Sequence, residues 1–150
     1  MSGKSKIARR GAVLAGAALA IFGPLIGMSS AAGALTLALP LPAKSLAITS
    51  PAFTMTASAT GTHALTIALQ YSSTIESDAP ASGTVVDLSS DCGAAWFAAT
   101  PGGAPITSVK IPFLSSSVTV YYGDAETGPP LITVSSPGLT PATQTETVIP

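Results

Sequence analysis

The chain has 150 residues, 47% of them hydrophobic and only 9% charged, with a formal net charge of −1. That balance hides an asymmetry: Lys4, Lys6, Arg9 and Arg10 hold four of the six basic charges, so the rest keeps Lys44 and Lys110 against seven acids, a formal charge of −5. A chain whose main part is acidic and lacks arginine does not displace counterions from a phosphate backbone, which excludes nucleic acid as a partner.

Residues 1–34 have the layout of a secretory signal. A basic start is followed by the uncharged run Gly11–Gly27 and then by small residues, and Ala32-Gly-Ala34 fits cleavage after Ala34. Ser29-Ser-Ala31 is a second cleavage candidate. The alternative is an uncleaved anchor, since Gly11 to Ala31 approaches the roughly 20 apolar residues that span a bilayer. Its many Gly and Ala residues make it weakly hydrophobic. Membrane contact is expected only if this segment is retained. Arg9-Arg10 leaves the choice between general and twin-arginine export open. Residues 35–44 read as a linker, because Pro40 and Pro42 withhold ladder donors.

From Ser45 the pattern is β throughout. Ser45–Thr49 and Phe53–Thr56 are short runs on either side of Pro51. His63–Tyr71 alternates, placing Leu65, Ile67, Leu69 and Tyr71 on one face, as a strand with one buried side requires. Ser72–Ser82 reads as a polar loop. Thr84–Ser89 pairs Val86 with Leu88, Ala95–Ala98 is short and aromatic, and Thr100–Pro105 is a turn cluster. Ile106–Ile111 resumes the pattern and Pro112 stops it. Val118, Val120 and Tyr122 share a face, a polar loop Gly123–Pro130 follows, and Ile132 and Val134 share the next face. Gln144–Ile149 gives a last strand. Seven or eight short strands with closely spaced turns predict an all-β fold, a two-sheet antiparallel sandwich over residues 45–150 preceded by the signal helix.

The segments Leu46–Ala57, Leu65–Gln70, Val86–Ser90, Ala104–Ile111, Val118–Gly128 and Pro137–Val148 together resemble bacterial immunoglobulin-like modules of large secreted and cell-surface proteins. The resemblance covers about one whole module. It implies a non-enzymatic β-sandwich that acts as spacer, stalk or adhesive unit and meets a protein or glycan at the cell exterior. Such modules often carry a cysteine in the loop before the strand at Leu65 and another before Ile106. Here those loops read Ala59-Thr-Gly61 and Thr100-Pro-Gly-Gly103, so that disulfide is absent.

Few residues carry chemistry. Cys92 is the only cysteine and His63 the only histidine. One odd thiol in an exported chain is a candidate for an intermolecular disulfide and hence a disulfide-linked dimer, or for burial as a small apolar group. A cysteine nucleophile needs a neighbouring base, and one His with one Cys does not complete a zinc site. Six of the seven acids fall in loop pairs, Glu76 with Asp78, Asp87 with Asp91, and Asp124 with Glu126. They lack the dense spacing of a calcium loop and read as a solvated rim. No catalytic residue, metal ligand or cofactor is therefore assigned. Among the aromatics, Phe97 and Tyr121 are the candidates for an outward contact patch. The expectation is a secreted or cell-surface module, structural or adhesive, with a small ligand-binding module or inhibitor as the first alternative and a hydrolase as the second. The ligand-binding alternative would use the Ser72–Ser82 loop or the Pro101–Pro105 turn.

Overall fold

The computed structural model describes residues 41–150, and the expected signal segment lies outside the described residues. No helix among the described residues is long and apolar enough to cross a membrane. Eleven strands follow in order: β1 (Ser45–Ile48), β2 (Thr54–Thr56), β3 (His63–Ser72), β4 (Ile75–Glu76), β5 (Thr84–Ser90), β6 (Ala95–Ala98), β7 (Ser108–Ile111), β8 (Ser117–Asp124), β9 (Leu131–Ser135), β10 (Ala142–Thr145) and β11 (Thr147–Ile149).

One antiparallel sheet has the order β1-β3-β8-β6, with β4 folded back on β3, and the other has the order β10-β9-β5-β7. Strands β2 and β11 form a separate parallel pair. The inward faces of the two antiparallel sheets share one core. Leu65, Ile67, Leu69, Phe97, Val120 and Tyr122 come from the first sheet, and Val86, Leu88, Ile111, Ile132 and Val134 from the second. Met55 and Val148 join that core from the parallel pair. The period-2 alternation of the strands explains this division, since every second residue turns to the same side.

Three details differ from the sequence expectation. The strand count is eleven against the seven or eight expected, with β4 and the division of the last unit adding two to the nine β runs of the sequence. Ser72–Ser82 is not purely loop: Ile75 and Glu76 pair with Ser72 and Gln70, across a bulge in β3. Gln144–Ile149 is two strands, with β10 antiparallel to β9 and β11 parallel to β2. The division falls at Glu146, which is 1% exposed. Its carboxylate accepts hydrogen bonds from Phe53 N (2.7 Å) and Gln144 Nε2 (2.6 Å). The chain changes partner there because a buried carboxylate must collect donors, and those donors come from both neighbouring layers.

Both edges of the first sheet have contacts on their outer sides. Leu46 N donates to Thr140 O (2.9 Å) and Thr140 N to Lys44 O (3.0 Å), which occupies the outer side of β1. Ala98 on β6 bridges to Pro105. Strand β7 carries Lys110 and ends against Pro112, both common guards of an edge. Where β8 ends, the chain packs tightly: a Cβ on Gly123 would meet the Thr60 carbonyl, so only glycine lets the Thr60–Gly61 loop lie flat on that strand.

Candidate functional site

The two ends of β5 differ in chemistry. The end at Gly83 opens into an apolar groove of about 640 Å³. The Leu41–Ala43 approach, the Asp78–Ala81 turn, Val85, Phe113, Leu114, Pro137 and Leu139 line it. Two hydrogen bonds hold the Pro112–Ser115 tip beside the turn: Ala79 N donates to Ser115 O (2.9 Å) and Leu114 N to Ala79 O (3.3 Å). Leu114 has φ of 62°, a region that side chains with a Cβ avoid. The tip presents Phe113 at 55% and Leu114 at 63% exposure, with Val85 at 50% close by. Large apolar side chains are thus gathered, exposed, at a conformationally costly tip. Ser77 fixes the approach segment by donating its hydroxyl to the Leu41 carbonyl.

Beyond the other end of β5 lies a polar centre built on Asp124, a side chain with no exposed surface. One carboxylate oxygen accepts from Tyr122 Oη at 2.7 Å. The other accepts from Glu126 N at 2.9 Å and from Cys92 Sγ at 3.1 Å. Cys92 Sγ also lies 3.4 Å from Glu126 Oε2. Nearby, Asp91 accepts from Leu131 N at 2.8 Å. The Asp124–Glu126 pair is thus not part of a uniformly solvated rim. Asp124 continues the inward face of β8 after Val120 and Tyr122, and its burial is tolerated because three donors converge on it.

This arrangement sets the chemistry of Cys92. Partial burial, reinforced by the carboxylates of Asp124 and Glu126, pushes its thiol up to about 11. Burial likewise pushes the Tyr122 phenol well above its usual range, with the Asp124 hydrogen bond adding to it. A thiol that donates to two carboxylates is a poor nucleophile at neutral pH. Such surroundings work against the intermolecular bridge that an odd cysteine suggests. Iodoacetamide at pH 8 is expected to alkylate Cys92 about a hundredfold more slowly than an unperturbed thiol, from the two-unit rise. The stability consequence has a definite sign. Both groups hold their protons more tightly in the fold than in the unfolded chain, so their contribution is complete below the ordinary values and is lost as pH rises through the shifted ones. Urea unfolding should therefore show stability falling from about pH 9 upward. Tyr122→Phe should flatten part of that fall, and a stability unchanged up to pH 11 would refute the assignment.

The sequence-derived candidates separate. Phe97 is 6% exposed and packs against Tyr122 at 5.2 Å between ring centroids, so it belongs to the core and not to an outward patch. The cause is position: on β6 the inward face falls on Phe97, and half-buried Trp96 is turned away, donating from Nε1 to Gly103 O (3.3 Å). Tyr121 is half-buried. His63 stacks on Phe53 at 5.0 Å, and its Nδ1 meets Thr62 Oγ1 at 3.4 Å. Among the described residues, no group of three or more His, Cys, Asp or Glu side chains is arranged to hold a metal ion. The groove residues Phe113 and Leu114 went unassigned in the sequence, although Pro112-Phe-Leu-Ser115, two large apolar residues after a strand-ending proline, was a readable signal.

No known protein family matches the chain, and no curated protein matches it.

Proposed function

We propose that this chain is an exported, non-enzymatic immunoglobulin-like module that makes its contacts at the cell exterior through the groove at Phe113 and Leu114. The observation that carries this reading is the exposed apolar tip beside a concave apolar surface, in a domain whose other end is acidic. The strand order supports the immunoglobulin-like class: β1-β3-β8 in one sheet faces β10-β9-β5 in the other, as strands A-B-E face G-F-C in that class. With β1 and β6 occupied along their outer sides, loop tips take over the contact role that open edges would otherwise have. His63, stacked on a phenylalanine and next to a threonine, is in surroundings that favour a structural role over that of a base.

A second reading, a small secreted ligand-binding module, uses the same surface. It is favoured by the groove's concavity and by the contribution of Asp78–Ala81, which belongs to the Ser72–Ser82 loop expected for that role.

Expression of the full chain in a bacterium, followed by mass measurement of the extracellular fraction, tests export. The expected product begins after Ala34. The contact surface is tested with the apolar dye 8-anilinonaphthalene-1-sulfonate. The native product should enhance its fluorescence, and the double variant Phe113→Ser, Leu114→Ser should lose most of that signal while keeping its unfolding transition. A product retained in the cell would refute export, and a dye signal indifferent to the double variant would refute the contact surface.

A further inference from the structure

We infer that the groove takes an apolar chain ending in an anionic head, a single-chain fatty carboxylate, with the chain between Val85 and Phe113 and the head at Lys110. The inference rests on the contact surface proposed above and adds the class of occupant.

Three observations lead there. The first is what the groove does not offer. Pro42, Pro80 and Pro137 in its walls have no N–H. Four of the neighbouring main-chain donors are already used: Gly83 N on Pro80 O, Ala79 N on Ser115 O, Leu114 N on Ala79 O and Leu139 N on Ser136 O. A docked peptide strand needs a regular row of main-chain partners for its own polar groups, and walls with three prolines and four engaged donors supply few of them. An acyl chain has no such requirement, and burying it is favourable in proportion to its length.

The second observation is size. About 640 Å³ lies within the range of small-molecule sites, roughly 300–1,000 Å³.

The third is charge. Lys110 is directly opposite Val85 in the β5–β7 register, so both side chains stand on one face of the sheet. Its aliphatic stem lies over Gly83, where any side chain would collide with Lys110 Cε and the Ile111 carbonyl. Gly83, at φ of 70°, is therefore fixed as glycine both by its turn and by the lysine above it. A smaller hollow beside the groove, formed by Ala81, Gly83, Lys110 and Phe113 among others, continues it toward the lysine. The only other cation among the described residues, Lys44, sits 4.0 Å above the Tyr71 ring. Asp78 is the one carboxylate in the groove wall, and it directs an anionic head away from its own side toward Lys110.

The test is displacement of 11-(dansylamino)undecanoate from the purified extracellular product. Laurate should compete at least tenfold better than dodecyltrimethylammonium, which has the same chain length and opposite charge, and better than octanoate. Val85→Asp should weaken laurate at least tenfold, and Lys110→Glu should reverse the order of laurate and the cationic amphiphile. Both variants change exposed residues, and coincident unfolding transitions establish that they fold. The inference is overturned if the probe does not bind saturably, if laurate and the cationic amphiphile compete equally, or if Val85→Asp leaves affinity unchanged. An exported product whose tip governs dye binding yet which ignores laurate would sink the occupant while leaving the contact surface standing. A chain retained in the cell that binds laurate would sink only the export reading.

Discussion

Asp124→Ala is expected to lower the unfolding free energy by about 3–4 kcal/mol, the largest loss for any single polar side chain in the domain. The carboxylate gathers the Tyr122 hydroxyl, the Glu126 amide and the Cys92 thiol. Hydrogen bonds to a charged acceptor contribute about 1.5–3 kcal/mol each, and stranding a buried donor costs about 1–3 kcal/mol. The sum is not the answer, because removing the carboxylate also relieves the cost of keeping a charge out of water. The Tyr122 hydroxyl decides the sign, since it is on a side chain with no exposed surface and keeps only the Ser90 hydroxyl beside it once the carboxylate is gone. Urea unfolding of Asp124→Ala, Tyr122→Phe and the double variant provides the check. The double variant should lose less than the two singles combined by at least about 1 kcal/mol, because the second change removes the donor the first one strands. A loss below about 1 kcal/mol in Asp124→Ala would show that the centre is not structural.

Glu146→Ala comes next, with an expected loss of about 2–3 kcal/mol. Its two oxygens tie Phe53 N, just before β2, to Gln144 on β10, so one side chain fastens the parallel pair to the second sheet. The loss should be local before it is global. Hydrogen exchange at residues 54–56 and 147–149 should accelerate more than exchange in β3 or β5. Glu146→Gln, which retains an acceptor, should lose less. Equal acceleration across all strands would show that Glu146 supports the core as a whole and does not act as a fastener.

Much of this was legible before any coordinates. Leu65, Ile67 and Leu69 announced the inner face of β3, and Val86 with Leu88 that of β5, because alternation is a strong signal when one side is buried. The buried acids were less visible, since acids are read as surface by habit. Their parity nevertheless gave them away: Asp124 is in step with Val120 and Tyr122, and Glu146 with Val148. What alternation does not encode is partner choice. Nothing in Thr147-Val-Ile149 says that it runs beside Thr54–Thr56 in the same direction instead of continuing along β9. Phe97 and Trp96 show the matching weakness in short strands, where four residues leave the phase undecided until the neighbours are placed. Beyond its Phe113–Leu114 tip the groove was not legible as a site, because its walls come from four stretches of chain that only the fold brings together.

The direction of that last pairing has a mechanical consequence. With β2 and β11 side by side and co-directional, tension that reaches β2 once β1 has been drawn off β3, and β11 from its carboxyl end, drags one strand backward and the other forward along their common axis. Bonds such as Ala57 N to Ile149 O (2.9 Å) and Thr147 N to Phe53 O (3.1 Å) then share the load and must yield together, whereas a hairpin pulled at its open end gives way one rung at a time. Glu146 acts as a rivet beside that seam, so the pair is expected to resist sliding better than peeling from one side.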